Sequence, residues 1–311
     1  MPLNAANAAK ASFDDIYVMP DPRDYYAVLG SLDYSIPTLA KPIFRQLSAA
    51  WKRTRGRAAT ILDLGSSYGI NAALFRFPLT FDMLRRRYTR REMMALSPRE
   101  LRELDRYYFQ SWPRAQAERI VVADTSANAI DYAVQVGIAD AGVAADLETG
   151  VVDDGVAREL AGVDIVMSTG CVGYVTEKTF ATILNQTSEP PWVVSFCLRM
   201  FDYEPVARQL ARVGLVTEKL ASATFVQRRF RDEAEASDVL GILNQRGVDP
   251  TGLESEGLLL AELFVSRPEA EVAAEPLQDL ITLTSGRNLN FGPRLMQVRR
   301  NGRLALAPVR G

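Results

Sequence analysis

Residues 59–71 read ATILDLGSSYGIN. Ile61, Leu62 and Leu64 flank Asp63, a turn opens at Gly65 and closes at Gly69, and Ile70-Asn71-Ala72-Ala73-Leu74 follows. Apolar residues before the glycines suit a buried parallel strand, and the run after them suits a helix start. In such a strand–turn–helix, glycine lets the backbone approach a ligand with no Cβ in the way, and the helix N-terminus presents unpaired N–H groups. An acid at the carboxyl end of the strand stands where open α/β sheets bind ligands. The spacing is not the dinucleotide fingerprint G-x-G-x-x-G, because no glycine supplies its second and third positions in register.

Composition bounds the rest. The 311 residues suit one large α/β domain with additions, or two small ones, and 48% hydrophobic with 24% charged residues is ordinary for a soluble globular chain. A net charge of −2 gives no general attraction to nucleic acid or acidic membranes. No apolar run reaches membrane-spanning length, and residues 1–12, expected to be frayed, lack the order of a signal peptide, so the expected compartment is the cytoplasm. Cys171 and Cys197 are far apart and neither lies in a C-x-x-C, which argues against a disulfide framework or a zinc site. The chain has no histidine. That removes His-based triads, His general bases and His-containing metal sites. Its chemistry has to use carboxylates, Tyr, Lys, Cys or positioning alone, and no metal is expected.

Further strands follow the first. Ile120–Asp124 ends on an acid, with Ser126 placed to cap the next helix, which stops at Gly137; Gly142–Ala145 is closed by Asp146-Leu147-Glu148. Val163–Gly170 leads into Cys171-Val172-Gly173-Tyr174, and Trp192–Cys197 is a fifth strand, with Glu204–Val213 as its helix. Thr224–Phe230 and Ala261–Ser266 suit an antiparallel pair, with an extra helix, 232–245, between them.

Asp63-x-Gly65-x-Ser67-x-Gly69 resembles motif I of class I S-adenosylmethionine (SAM) methyltransferases, with serine at the middle glycine, and the acids and small residues that follow recur in that family's order over about 59–266. The resemblance implies a Rossmann-like α/β fold: a seven-stranded, mostly parallel sheet with helices on both faces. It implies SAM as cofactor, held by Asp63, Gly65, Ser66, Ser67, Gly69 and Asn71 at the amino acid part, and by Asp124 and Thr125 at the ribose. Asp146 and Leu147 would meet the adenine, and Ser168, Thr169 and Gly170 would lie near the methyl group. Asp124 lies far beyond the ~20 residues usual for one βαβ unit, which an inserted helical segment explains.

Three regions are expected: an N-terminal helical cover over 1–55, the core over 56–270 with a helical insert at about 80–112, and a C-terminal β-like extension over 271–311. In the cover, Tyr25, Tyr26 and Leu29 share a helical face that breaks at Gly30, and a second stretch ends at Trp51, followed by a basic linker. The cover either packs on the sheet or closes over a ligand, with Tyr34 the first contact and Tyr26 a second. In the insert, Thr80, Thr89 and Ser97 read as helix starts, with Glu92 and Glu100 completing the capping pattern of the last two. Arg85, Arg86, Arg87, Arg90 and Arg91 read as a solvent face paired with nearby acids, or as a grip for an anionic substrate. Arg199 is a further candidate for such a substrate. Tyr174 and Glu177 are the candidate catalytic bases. The expected activity is methyl transfer to an O or N atom of a small metabolite, the arginines favouring one with a carboxylate or phosphate; methylation of a protein and a non-catalytic scaffold role are the alternatives. No nucleic-acid or membrane partner is expected, and self-association is left open. The tail carries Arg287, Arg294, Arg299, Arg300, Arg303 and Arg310 with turns at 285–288 and 291–293, and suits a small β addition on the sheet edge or on a partner chain.

Overall fold

A computed structural model describes residues 14–283 and the two strands 295–300 and 303–308. The turns expected at 285–288 and 291–293, the first dozen residues, and Arg287, Arg294 and Arg310 lie outside the described residues. The first five strands are β1 Thr60–Leu64, β2 Arg119–Asp124, β3 Ala141–Ala144, β4 Ile165–Thr169 and β5 Trp192–Leu198. They run parallel in the spatial order β3-β2-β1-β4-β5. In β5 all seven residues are buried, as expected of a strand covered on both faces. β8 Leu258–Pro268 then runs antiparallel to β5.

The seventh position of the expected seven-stranded sheet, beyond β8, holds two strands. β8 is 11 residues long, so its far end pairs with β6 Leu215–Lys219 and its near end with β7 Ala223–Arg229. Beyond β7, the tail adds β10 Arg303–Pro308 in parallel and β9 Leu295–Arg300 antiparallel to β10, giving ten strands. The chain therefore has a Rossmann-like parallel sheet continued past β5 by the antiparallel β8 and the strands beyond it. Among the described residues no helix is long and apolar enough to cross a membrane.

The cover consists of the helices Asp14–Tyr17, Arg23–Ser31 and Ile36–Arg55. Gly30 lies inside the second helix rather than breaking it. The basic stretch after Trp51 is not a linker: the helix continues through Arg55 and stops at Gly56, whose φ of 72° supplies the left-handed cap. This helix locks onto the one after the glycine turn, Ile70–Arg76, because Lys41 donates to Phe77 O and Leu79 O and Arg45 to Phe75 O. Cations at a helix C-terminus satisfy its last carbonyls.

The insert forms the helices Phe81–Tyr88, Arg91–Met94 and Pro98–Gln110. Thr80 caps the first and Ser97 with Glu100 makes a full capping box on the third. Thr89 starts nothing: it ends the first helix, donating back to Arg85 O, and Arg90 stands at the N-cap of the second. Of the arginine cluster, Arg85 and Arg86 pair with Asp82 within one helix, and Arg87 pairs with the fully buried Asp105 at 2.8 Å. Asp105 also accepts from Tyr88 and Tyr132, which ties the insert to the core.

Candidate functional site

A cavity of about 410 Å³ opens at the carboxyl ends of β1 to β4, beneath the cover. Its floor is the glycine turn. Gly65 (φ 67°) and Ser67 (φ 48°) are both left-handed, a conformation that costs a side-chain-bearing residue and here belongs to Ser67. The turn is held by the neighbouring strand: Gly65 N and Ser66 N donate to Ala123 O, and Ser67 N donates to Asp124 Oδ2 at 2.9 Å. Asp124 Oδ1 accepts Ser126 N as well, so each oxygen retains a lone pair for a ligand. Ser67 Oγ is buried against the cavity and has no partner among the described residues. A Cβ on Gly65 would come within 2.6 Å of Cys171 Cβ, so glycine there keeps two loops in contact.

Gly65, Ser66, Ser67, Asn71, Asp124 and Thr125 all line the cavity, and so do Asp146, Leu147, Thr169 and Gly170. Tyr34 and Tyr174 reach it from above. Six stand elsewhere, Glu177 among them. Asp63 is fully buried behind the turn, where it accepts Asn71 Nδ2 at 3.1 Å and Ala72 N at 3.2 Å. It orients Asn71, whose amide also donates to Thr169, and so acts on the cavity at one remove. Gly69 caps the following helix, and a Cβ there would strike Ile138 and Ala133; it serves helix–sheet packing. Ser168 is sealed in the sheet, donating to Ser195. Tyr26 is stacked on Tyr88 in the core at 4.8 Å between centroids. Arg199 is buried in an ion pair with Glu254 and also donates to Asp249 O.

Glu177 starts the helix Glu177–Gln186 and does not line the cavity. The glutamate that does is Glu148, which accepts Thr176 N, Thr176 Oγ1 and Thr179 Oγ1. Burial works against its charge, but those hydrogen bonds prevail and hold its pKa below the usual value. It is a brace for the wall rather than a poised base.

Several lining residues escaped the sequence reading: Tyr17, Tyr25, Cys171, Gln227 and Arg228, besides Glu148. The polar run Gln227-Arg228-Arg229 directly after Phe225-Val226 was an available signal. Burial raises the phenol pKa of Tyr34 to about 12, against hydrogen bonds from Tyr25 and Thr169, and raises those of Tyr17 and Tyr25 further. These three are neutral donors at any ordinary pH. Among the described residues no cluster of acids and cysteines is arranged to hold a metal.

Burial raises the Asp63 pKa from 3.8 to about 7, the hydrogen bonds from Asn71 and Ala72 opposing it. Between those values the folded chain holds a proton that the unfolded chain has released, so this group weakens folding progressively as pH rises, and fully above about 7. Asp63→Asn removes that dependence. Denaturant unfolding of both proteins at pH 4 and pH 8 is expected to show the variant gaining, relative to wild type, up to about 4 kcal/mol across the interval. A difference that does not change with pH would contradict the assignment.

Fold and cavity together define a Rossmann-like α/β protein with a cavity at the carboxyl ends of its parallel strands. No family model and no curated protein matches the sequence. Among solved structures, the chain is similar to a TehB-like SAM-dependent methyltransferase from Corynebacterium glutamicum, at 18% identity over 72% of this chain and 94% of that one, with a TM-score of 0.34. It is similar to the plantazolicin methyltransferase BpumL in complex with SAH, at 11% identity over 86% and 96% of the two chains, TM-score 0.41. It is also similar to the [4+2]-cyclase SpnF, at 11% identity over 72% and 80%, TM-score 0.35. Likenesses this distant carry no argument about chemistry, which has to come from the cavity.

Proposed function

We propose that the chain binds SAM in this cavity and transfers its methyl group to an O or N atom of a small molecule. The observation that carries the reading is the turn after β1. Two consecutive strands end in one cavity-facing unit, with Ser67 N fixed on Asp124 and Ser67 Oγ left as a buried hydroxyl without a partner among the described residues. The residues fit the cofactor. Asp124 can accept ribose hydroxyls, Asp146 can accept an amino group beside the apolar Leu147, and Asn71, Thr169 and Gly170 offer polar contacts to an amino acid moiety. A bound SAM would supply a methyl group activated on a positively charged sulfur, which would become a neutral thioether as the acceptor gained the methyl and lost its proton.

The protein's part is then to hold, orient and exclude water, which supplies much of the acceleration in such a displacement. With Glu177 off the cavity and Glu148 committed to Thr176 and Thr179, Tyr174 is the remaining candidate for a proton-accepting role. Equal turnover in Tyr174→Phe would leave positioning alone. The arginines that suggested an anionic substrate do not reach the cavity, so the acceptor is read as uncharged. Titration calorimetry with SAM, SAH and NADH tests the cofactor. SAM and SAH are expected to bind, and Asp124→Ala to weaken SAH by about tenfold or more, the loss of a charge-assisted hydrogen bond. Binding of NADH alone would overturn the reading.

A further inference from the structure

Gln227 occupies a bulge in β7. Val226 faces Leu260 and Arg228 faces Leu259 across the ladder, which leaves Gln227 with no residue opposite it. A bulge re-aims a side chain out of the strand's alternation. The Gln227 carbonyl accepts Ser35 N at 2.8 Å, anchoring the cover beside Tyr34, while its side chain enters the cavity wall. The residue is only 4% exposed, and its Oε1 has no hydrogen-bond donor among the described residues. The other end of the carboxamide lies against the turn after β4: a Cβ on Gly170 would be 2.1 Å from Gln227 Nε2. A buried acceptor, aimed by a bulge and admitted by a glycine, is a site waiting for a donor.

The surroundings limit what brings that donor. Arg228 is the one cation among the described lining residues, and it gives two hydrogen bonds, of 2.8 and 2.6 Å, to Glu235. Asp124, Asp146 and Glu148 make the remaining charge negative, which disfavours an anion. The wall contributed by the cover includes Tyr17, Tyr25, Leu29, Tyr34 and Pro37, apolar and aromatic. We propose that Gln227 is the specificity-determining contact for the methyl acceptor, and that the acceptor is a neutral, largely aromatic or apolar small molecule presenting an N–H or O–H to Gln227 Oε1. The proposal rests on the cofactor reading of the same cavity. A site built around a buried acceptor rejects analogues that lack the donor, because the acceptor is then desolvated and unpaired.

Matched probes test this on the SAH-saturated protein: indole against 1-methylindole, phenol against anisole, and benzoate as the anion, with dissociation constants from ligand-detected NMR. Indole and phenol are expected to bind about tenfold more tightly than their methylated partners and than benzoate, and Gln227→Met is expected to bring each pair within about twofold. Gln227→Glu keeps the acceptor oxygens. It is expected to retain the donor preference and to favour benzylammonium, which decides the matter if the methionine variant does not fold. Equal binding within the pairs, tighter benzoate, a preference that survives Gln227→Met, or no probe binding at millimolar concentration would overturn the proposal. If SAH itself does not bind, the cofactor reading fails, and the same titrations on the ligand-free protein still decide the role of Gln227.

Discussion

Arg199→Leu is expected to cost about 3–5 kcal/mol of folding stability, as removing one partner of a buried ion pair does. Both side chains of the Arg199–Glu254 pair are 1% exposed. Without the guanidinium, Glu254 keeps its burial and its unfavourable neighbour Glu262 but loses the one charge that compensates them. Burial already raises its pKa to about 7, with Arg199 opposing the shift. For a domain stabilised by ~5–15 kcal/mol the loss is a large fraction. Urea unfolding measures it directly. SAH affinity of the fraction still folded is expected to be unchanged, because Arg199 does not line the cavity. Replacing both partners, Arg199→Met with Glu254→Leu, is expected to recover part of the loss, since a well-packed apolar pair avoids the desolvation cost. A stable Arg199→Leu that had lost only ligand affinity would restore this residue to the binding site.

Gly65→Ala is expected to weaken SAH binding by on the order of 100-fold, a larger effect than any single lining side chain would give. Two causes act together. The left-handed backbone at φ 67° costs an alanine ~1–2 kcal/mol. Its methyl would also lie 2.6 Å from Cys171 Cβ, so either the turn after β1 or the loop after β4 has to move, and both are cavity walls. Gly56→Ala is the control. It shares the left-handed φ, of 72°, but a Cβ there meets nothing within 4 Å, so it is expected to lower stability slightly and leave SAH binding unchanged. Calorimetry on both variants separates backbone strain from steric blockage, and equal SAH affinities would argue against blockage.

Much of the architecture was legible because it is local. Runs of β-branched and apolar residues ending in an acid or glycine mark β1 to β4, an apolar run alone marks β5, and the caps at Thr80, Ser97 and Ser126 are visible three residues ahead of the N–H groups they satisfy. β6 was missed: its Leu-Val-Thr-Glu-Lys carries only one buried residue, and it is a strand because the long β8 has an unpaired edge to offer. The basic run after Trp51 was misread for a similar reason. Charges in a last helical turn and charges in a linker look alike until Gly56 is seen to be the cap.

What the sequence by itself determined is the order of strands, the glycine turn, and the acids Asp124 and Asp146 at strand ends, since strand polarity alone sends all of these to one edge of the sheet. It also determined that no histidine takes part. Which polar groups face the cavity was decided only by tertiary structure. Asp63 and Asp124 both sit at a strand end, yet Asn71 and Ala72 close over the first and leave the second open. Arg199 and Arg228 are both arginines in or next to strands, but each is claimed by a glutamate whose position in the fold follows from no local pattern. Gln227 depends on a bulge, one extra residue in a ladder whose register exists only once β7 and β8 have paired. Side-chain direction in a sheet is set by register, and register is a property of two strands, not of one.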